Sequence, residues 1–103
     1  MTAYSSTQRP ATFTDRRAHA RRDCSFAGEI KISGEPAIAC EVINVSEMGA
    51  LLRFDMVIGL PPAFRLVIAS EMFEADCEVR HQSGTNVGVM FTSNRLEAMA
   101  RFG

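Results

Sequence analysis

The sequence predicts a mainly β protein, in which six short strands form a closed or nearly closed antiparallel barrel. A flexible arm is expected before the barrel and an α-helix after it. Two observations support this fold. Apolar and polar residues alternate with a period of two in six separate runs, and turn-forming residues separate these runs at regular intervals. The chain has 103 residues, of which 47% are hydrophobic and 22% charged, as is typical of one globular domain.

The first three strands follow from strict alternation. The apolar face of the first strand contains Cys24, Phe26, Gly28, Ile30 and Ile32. A turn at residues 33–36 (Ser-Gly-Glu-Pro) ends this strand. The second strand places Ile38, Cys40 and Val42 on one face and extends to Asn44. The third places Ala50, Leu52 and Phe54 on one face, and the Gly-Leu-Pro-Pro segment at residues 59–62 ends it.

The second half of the chain predicts three more strands and the helix. The inward residues of the fourth and fifth strands are Phe64, Leu66, Ile68, Phe73, Ala75, Cys77 and Val79. A hairpin turn at residues 82–86 leads to a sixth strand that contains Val87, Val89 and Phe91. In residues 93–102 the pattern becomes helical, with Ser93 or Asn94 as the N-cap. Leu96, Met99 and Ala100 share one helical face, which we expect to seal one end of the barrel.

These elements define the predicted domain organisation. Residues 1–15 are expected to form a flexible segment, and residues 16–103 the domain, with an arm at 16–22, a barrel at 23–92 and a helix at 93–102. The longest apolar runs have four residues, so no membrane insertion is expected. The first residues do not resemble a secretory signal, which favours the cytoplasm. Cysteine and histidine spacings predict neither disulfides nor a metal site, and no cofactor is expected.

The charges are unevenly distributed along the chain. Five arginines and one acidic residue lie between residues 9 and 22, whereas the rest of the chain has six basic and eleven acidic residues. Ten of the eleven basic residues are arginine. A planar guanidinium can bind a phosphate or a guanine edge through two hydrogen bonds, which the ammonium group of lysine cannot do. The basic segment is therefore a candidate for anion or nucleotide binding, although a solvated arginine-rich tail would have the same composition.

Two motifs are candidate binding elements. The first is R-R-x-x-x-R, with Arg16 directly before the spaced pair Arg17 and Arg21. The second is N-x-S-x-x-G, formed by Asn44, Ser46 and Gly49 between the second and third strands. Asparagine and serine offer hydrogen-bond donors and acceptors, and glycine lets a ligand approach the backbone. Each motif alone is a weak signal.

In this order and spacing, the two motifs resemble the PilZ domain, the bacterial receptor module for cyclic di-GMP. Two further elements of that family pattern are present. Glu78-Val79-Arg80 resembles its strand end, which is V-x-R or V-V-R, and residues 87–91 (Val-Gly-Val-Met-Phe) resemble its V-G-V-x-F strand. The resemblance extends from about residue 16 to residue 91. It implies a PilZ-type β-barrel with a C-terminal helix.

The resemblance also implies a role for each motif residue. Arg17 and Arg21 would bind guanine edges and phosphate oxygens of cyclic di-GMP, since an arginine fork matches the guanine O6 and N7 acceptors. Asn44 would bind the Watson–Crick edge of a guanine. Ser46 would add a hydroxyl hydrogen bond, and Gly49 would leave space for the base. Whether Arg22 or Arg80 contacts the ligand stays open.

Arg16 bears on the number of cyclic di-GMP molecules that each chain binds. An arginine directly before the spaced pair tends to accompany binding of a stacked cyclic di-GMP dimer in PilZ proteins, so two ligands per chain are expected. The family often has Asp where this chain has Asn44. Compared with aspartate, the asparagine removes a negative charge near the ligand phosphates but is a weaker hydrogen-bond acceptor. We therefore expect this difference to affect the affinity for the ligand and not the function.

The predicted function is therefore a non-enzymatic cyclic di-GMP receptor that signals in trans to an unidentified downstream protein. No His/Asp pair is placed to activate Ser46 as a nucleophile. One alternative is a PilZ adaptor that docks on pilus or flagellar proteins without nucleotide. Another is a small barrel that binds single-stranded nucleic acid. The acidic body and the scarcity of Tyr and Trp make nucleic acid an unfavourable partner.

Overall fold

A computed structural model describes residues 22–103 of the chain. Its strands are β1 (Arg22–Lys31), β2 (Ile38–Val45), β3 (Gly49–Arg53), β4 (Ala63–Ile68), β5 (Phe73–Ser83) and β6 (Asn86–Phe91). A 3-10 turn (Ala69–Glu71) follows β4, and α1 (Arg95–Phe102) ends the fold. The strands form a closed antiparallel barrel in the order β1-β2-β3-β6-β5-β4. The predicted six-stranded barrel and its C-terminal helix are thus confirmed, whereas the predicted arm lies almost wholly outside the described residues.

The barrel interior contains the apolar residues that the alternation placed inward. Ile30, Leu52, Leu66 and Phe91 are fully buried. Six other residues on the predicted inward faces are only partly buried and pack against this core: Cys24, Phe26, Ile32, Ile38, Cys40 and Val79. The interior is therefore filled with side chains, as expected for a small barrel.

Three β-bulges interrupt the alternation. The pairing shifts between Asp23 and Phe26 on β1, between Val42 and Asn44 on β2, and between Val79 and His81 on β5. A bulge adds one residue to one strand and changes which face the following side chains occupy. Unbroken alternation from Val42 would turn Asn44 inward. Instead Val45 enters the core, with 2% of its surface exposed, and Asn44 lies on the outer face.

The predicted buried face of the helix is wrong. Leu96 and Met99 are 81% and 52% exposed, and the buried residues of α1 are Ala98 and Phe102. The Phe102 ring packs edge-on against Phe73, with centroids 5.1 Å apart, so aromatic packing orients the helix.

The structure confirms Asn94, one of the two predicted residues, as the N-cap of α1, although its side chain makes no capping hydrogen bond. Asn94 occupies the N-cap position with a left-handed backbone, and its side-chain amide donates to the Glu74 carbonyl. The Ser93 hydroxyl accepts a hydrogen bond from the Asp76 amide. Both side chains therefore bind β5 instead of the first turn of the helix.

The helix orientation leads to a stability prediction. Phe102→Ala removes a buried ring and should lower the free energy of unfolding by about 3 kcal/mol. Leu96→Ala, on the exposed face, should change it by less than about 0.5 kcal/mol. Urea unfolding followed by circular dichroism measures both changes. Equal destabilisation by the two variants would contradict the observed orientation of α1.

Candidate ligand-binding site

The N-x-S-x-x-G motif forms a tight turn between β2 and β3. The Ser46 amide donates to the Gly49 carbonyl at 2.8 Å, and the Ser46 hydroxyl accepts a hydrogen bond from the Met48 amide at 3.1 Å. The Phe91 amide donates to the Met48 carbonyl, which ties the turn to the end of β6. Ser46 is 6% exposed. Its hydroxyl therefore stabilises the turn, while its hydrogen is still available to donate a second bond.

Gly49 is required by close packing. A Cβ atom at this position would lie 2.0 Å from the carbonyl oxygen of Val89 on β6. No residue other than glycine fits there without moving the backbone. Strand packing therefore explains why residue 49 is glycine. Direct contact between Gly49 and a ligand stays a prediction.

The first residues of β1 lie beside the motif. Asp23 pairs with Asn44, and Arg22 pairs with Val45. Arg22, assigned to the arm by the sequence analysis, is thus the first residue of β1. Its guanidinium donates to the backbone oxygen of Gly103 at 2.8 Å, which links the start of the barrel to the end of α1.

The structure brings together only part of the predicted site. Asn44, Ser46 and Gly49 lie at one turn, whereas Arg16, Arg17 and Arg21 lie outside the described residues, so their contacts stay predictions. Their distance along the chain is nevertheless short. Arg21 is covalently joined to Arg22, and a residue spans at most about 3.6 Å of extended chain.

The three bulges align an outward-facing row of residues across five strands. Each member is paired with the next in the register, and the row consists of Asp23, Asn44, Leu51, Gly88 and His81. Leu51 is half-buried, and the His81 ring covers Gly88, which has no side chain of its own. Sequence analysis assigned no site role to His81, because its register with Gly88 depends on the bulge in β5.

Burial also affects the cysteines of the described part of the chain. Burial raises the pKa of the Cys77 thiol to about 12 and that of Cys40 to about 11, so both are protonated at neutral pH. The cysteines are unpaired, and within residues 22–103 no group of His, Cys, Asp and Glu could hold a metal ion. In the same part of the chain, no helix is long and apolar enough to cross a membrane.

A separate cavity of about 410 Å³ lies beside β2 and β3. It is lined by Ala39, Cys40, Glu41, Arg53, Phe54 and Asp55, none of which belongs to the motifs. Glu41 accepts hydrogen bonds from Ser25 and Arg53, and these bonds lower the pKa of the Glu41 carboxyl. Two of the three charged residues that line the cavity, Glu41 and Arg53, are therefore already paired with each other.

Comparison with known proteins identifies the family. The family model described as the PilZ domain matches residues 15–102. The fold is similar to the crystal structure of the uncharacterized Legionella protein Lpg0364, with a TM-score of 0.56 and 16% sequence identity. That alignment covers 79% of this chain and 87% of the Legionella chain. Comparison with curated proteins gave no significant match.

The chain belongs to the PilZ domain family. PilZ domains are generally receptors for cyclic di-GMP, and they are binding or adaptor domains, not enzymes. The match includes the segment with Arg16, Arg17 and Arg21 as well as the barrel and helix.

The packing of Gly49 leads to a second stability prediction. Gly49→Ala should lower the free energy of unfolding by about 3 kcal/mol, because the new methyl group meets a backbone carbonyl that cannot move alone. Gly59→Ala is the matched control, since no atom lies within 4 Å of the added Cβ. Thermal unfolding compares the two variants. A Gly49→Ala protein as stable as the Gly59→Ala control would contradict the close approach of β3 and β6.

Proposed function

We propose that this PilZ domain is a cyclic di-GMP receptor in which Arg17 and Arg21 close over ligand bound at the Asn44–Gly49 turn. The observation that supports this most strongly is the register of β1. Because Asp23 lies opposite Asn44, the chain segment that contains both arginines joins the barrel directly beside the second motif. We therefore propose that the two motifs, although separated in sequence, come together at this end of the barrel.

The chemistry of the ligand fits these groups. Cyclic di-GMP has two negative charges and two guanines, whose O6 and N7 acceptors match an arginine fork. Asn44 lies on the outer face, where its amide can bind a guanine edge. Hydrogen bonds that involve a charged group each contribute about 1.5–3 kcal/mol. Four or five of them, less the cost of ordering the arm, are enough for micromolar affinity, about 8 kcal/mol.

Charge favours contact between the ligand and the basic segment. Residues 22–103 have seven basic and eleven acidic side chains. Residues 1–21 have four basic side chains and one acidic side chain. The basic segment would therefore supply most of the attraction for the anionic ligand, and residues 9–22 would fold onto the barrel as it binds. A downstream protein would recognise the altered surface. This is the proposed route of signalling in trans.

The proposed stoichiometry is two ligands per chain. A stacked dimer of cyclic di-GMP has four negative charges, and Arg16 supplies a third guanidinium next to Arg17 and Arg21. Coulomb attraction from this third cation would favour the dimer. The stoichiometry measured by calorimetry tests this proposal separately from the affinity.

The two alternatives have less support. A nucleotide-independent PilZ adaptor would not need the arginine motif. A barrel that binds single-stranded nucleic acid would need a basic face with stacking aromatic residues. The described barrel has an excess of acidic residues, and the sequence has one Tyr and no Trp. Cyclic di-GMP therefore remains the proposed ligand.

Calorimetry with arginine variants tests the function. Arg17→Ala and Arg21→Ala should each weaken cyclic di-GMP binding roughly 10-fold or more, because each removes a charge-assisted contact. Arg65→Ala is the matched control. Arg65 lies opposite Lys31, at the other end of β1, and is paired with Glu74 and Asp76. Its removal should leave the affinity unchanged.

Two results would contradict the proposal. If Arg17→Ala and Arg21→Ala both bind cyclic di-GMP with wild-type affinity, these arginines are not part of the site. Binding of an oligonucleotide in preference to cyclic di-GMP, measured by filter binding, would favour the nucleic-acid alternative. Hydrogen exchange adds an independent readout, since ligand should protect the amides of residues 9–22.

A further inference from the structure

His81 forms the far edge of a surface that begins at Asn44. The outward-facing row passes from Asn44 to Leu51, then to Gly88 and His81. Neighbouring strands are about 4.8 Å apart, so Asn44 and Gly88, two strands apart, are separated by about 10 Å. Between them Leu51 provides an apolar surface.

The His81 ring lies directly over the backbone of Gly88. A Cβ atom on Gly88 would lie 2.2 Å from Nε2 of His81 and 2.6 Å from Cε1. The imidazole therefore occupies the space that any larger residue would need. Gly88 is buried although its neighbour His81 is exposed to solvent. The ring thus covers the backbone on one side and remains accessible on the other.

We propose that the exposed imidazole of His81 stacks on a purine base of the ligand and forms the second edge of the binding surface. This inference rests on the proposed function. A cyclic dinucleotide has two bases on opposite sides of its phosphate ring, so one base can bind near Asn44 while another part of the ligand lies over Leu51 and Gly88. A flat aromatic ring is a favourable partner for any base face.

A structural explanation of His81 makes a different prediction. Aromatic rings often cover strand glycines and thereby stabilise the sheet. If this were the only role of His81, its removal would lower stability without changing affinity. The experiment therefore measures both quantities on the same variants.

The first test compares His81→Ala with His81→Phe by calorimetry with cyclic di-GMP. Loss of base stacking should weaken binding roughly 10-fold in His81→Ala. His81→Phe keeps a flat ring and should stay within about 3-fold of wild type, since stacking needs a π-face and no hydrogen bond. Thermal unfolding of each variant identifies any loss of folded protein.

Gly88→Ala provides a second and independent perturbation. Its methyl group collides with the end of a flexible side chain, so the ring should swing away while the barrel still folds. Affinity should fall as in His81→Ala, and Gly88→Ala should have no further effect in the His81→Ala background. This pattern of non-additivity is expected only if both variants act through the same ring.

The outcomes separate the two proposals. Wild-type protein that does not bind cyclic di-GMP would overturn both. Wild-type protein that binds, together with unchanged affinity in folded His81→Ala, would overturn the role of His81 alone. As a direct readout, the imidazole Cε1 proton of His81 should shift on addition of ligand, because a stacked purine produces a ring-current field. An unshifted resonance at saturation would also overturn the stacking contact.

Discussion

The candidate site depends on the register of β2 between its two neighbours. The extra residue in β2 turns Val45 into the core and leaves Asn44 outside, where it pairs with Asp23 on one side and Leu51 on the other. The close approach of Gly49 to the Val89 carbonyl then brings β3 against β6. Since the burial of Val45 and this backbone contact both resist slippage, the outer row is held in place by the core behind it.

The same end of the barrel joins several parts of the molecule. The Asn44–Gly49 turn is tied to the end of β6 through the Met48 carbonyl, and Arg22 links β1 to the end of α1. Ligand bound here would contact groups that are positioned by four different elements. Under the proposed function, this end of the barrel would bind the charged ligand and change its exposed surface on binding.

Much of this architecture could be predicted from the chain alone. Alternation identified all six strands, and the spacing of the two motifs identified the family. The prediction failed for the helix face. Periodicity favoured burial of Leu96 and Met99, whereas in the structure Phe102 is buried because its ring packs against Phe73. The N-cap was predicted correctly as Asn94, but the contacts of the Ser93 and Asn94 side chains with β5 could not be predicted from the sequence.

The sequence by itself determined the strands, the distribution of charge and the residues of both motifs, since these depend on local pattern and composition. Only the tertiary structure decided which outward residues are neighbours. Asn44 and His81 are 37 positions apart in the sequence, and a single bulge reverses the face on which a strand residue lies. Register is a property of paired strands, so no pattern within one strand could have placed His81 over Gly88 or on the same surface as Asn44.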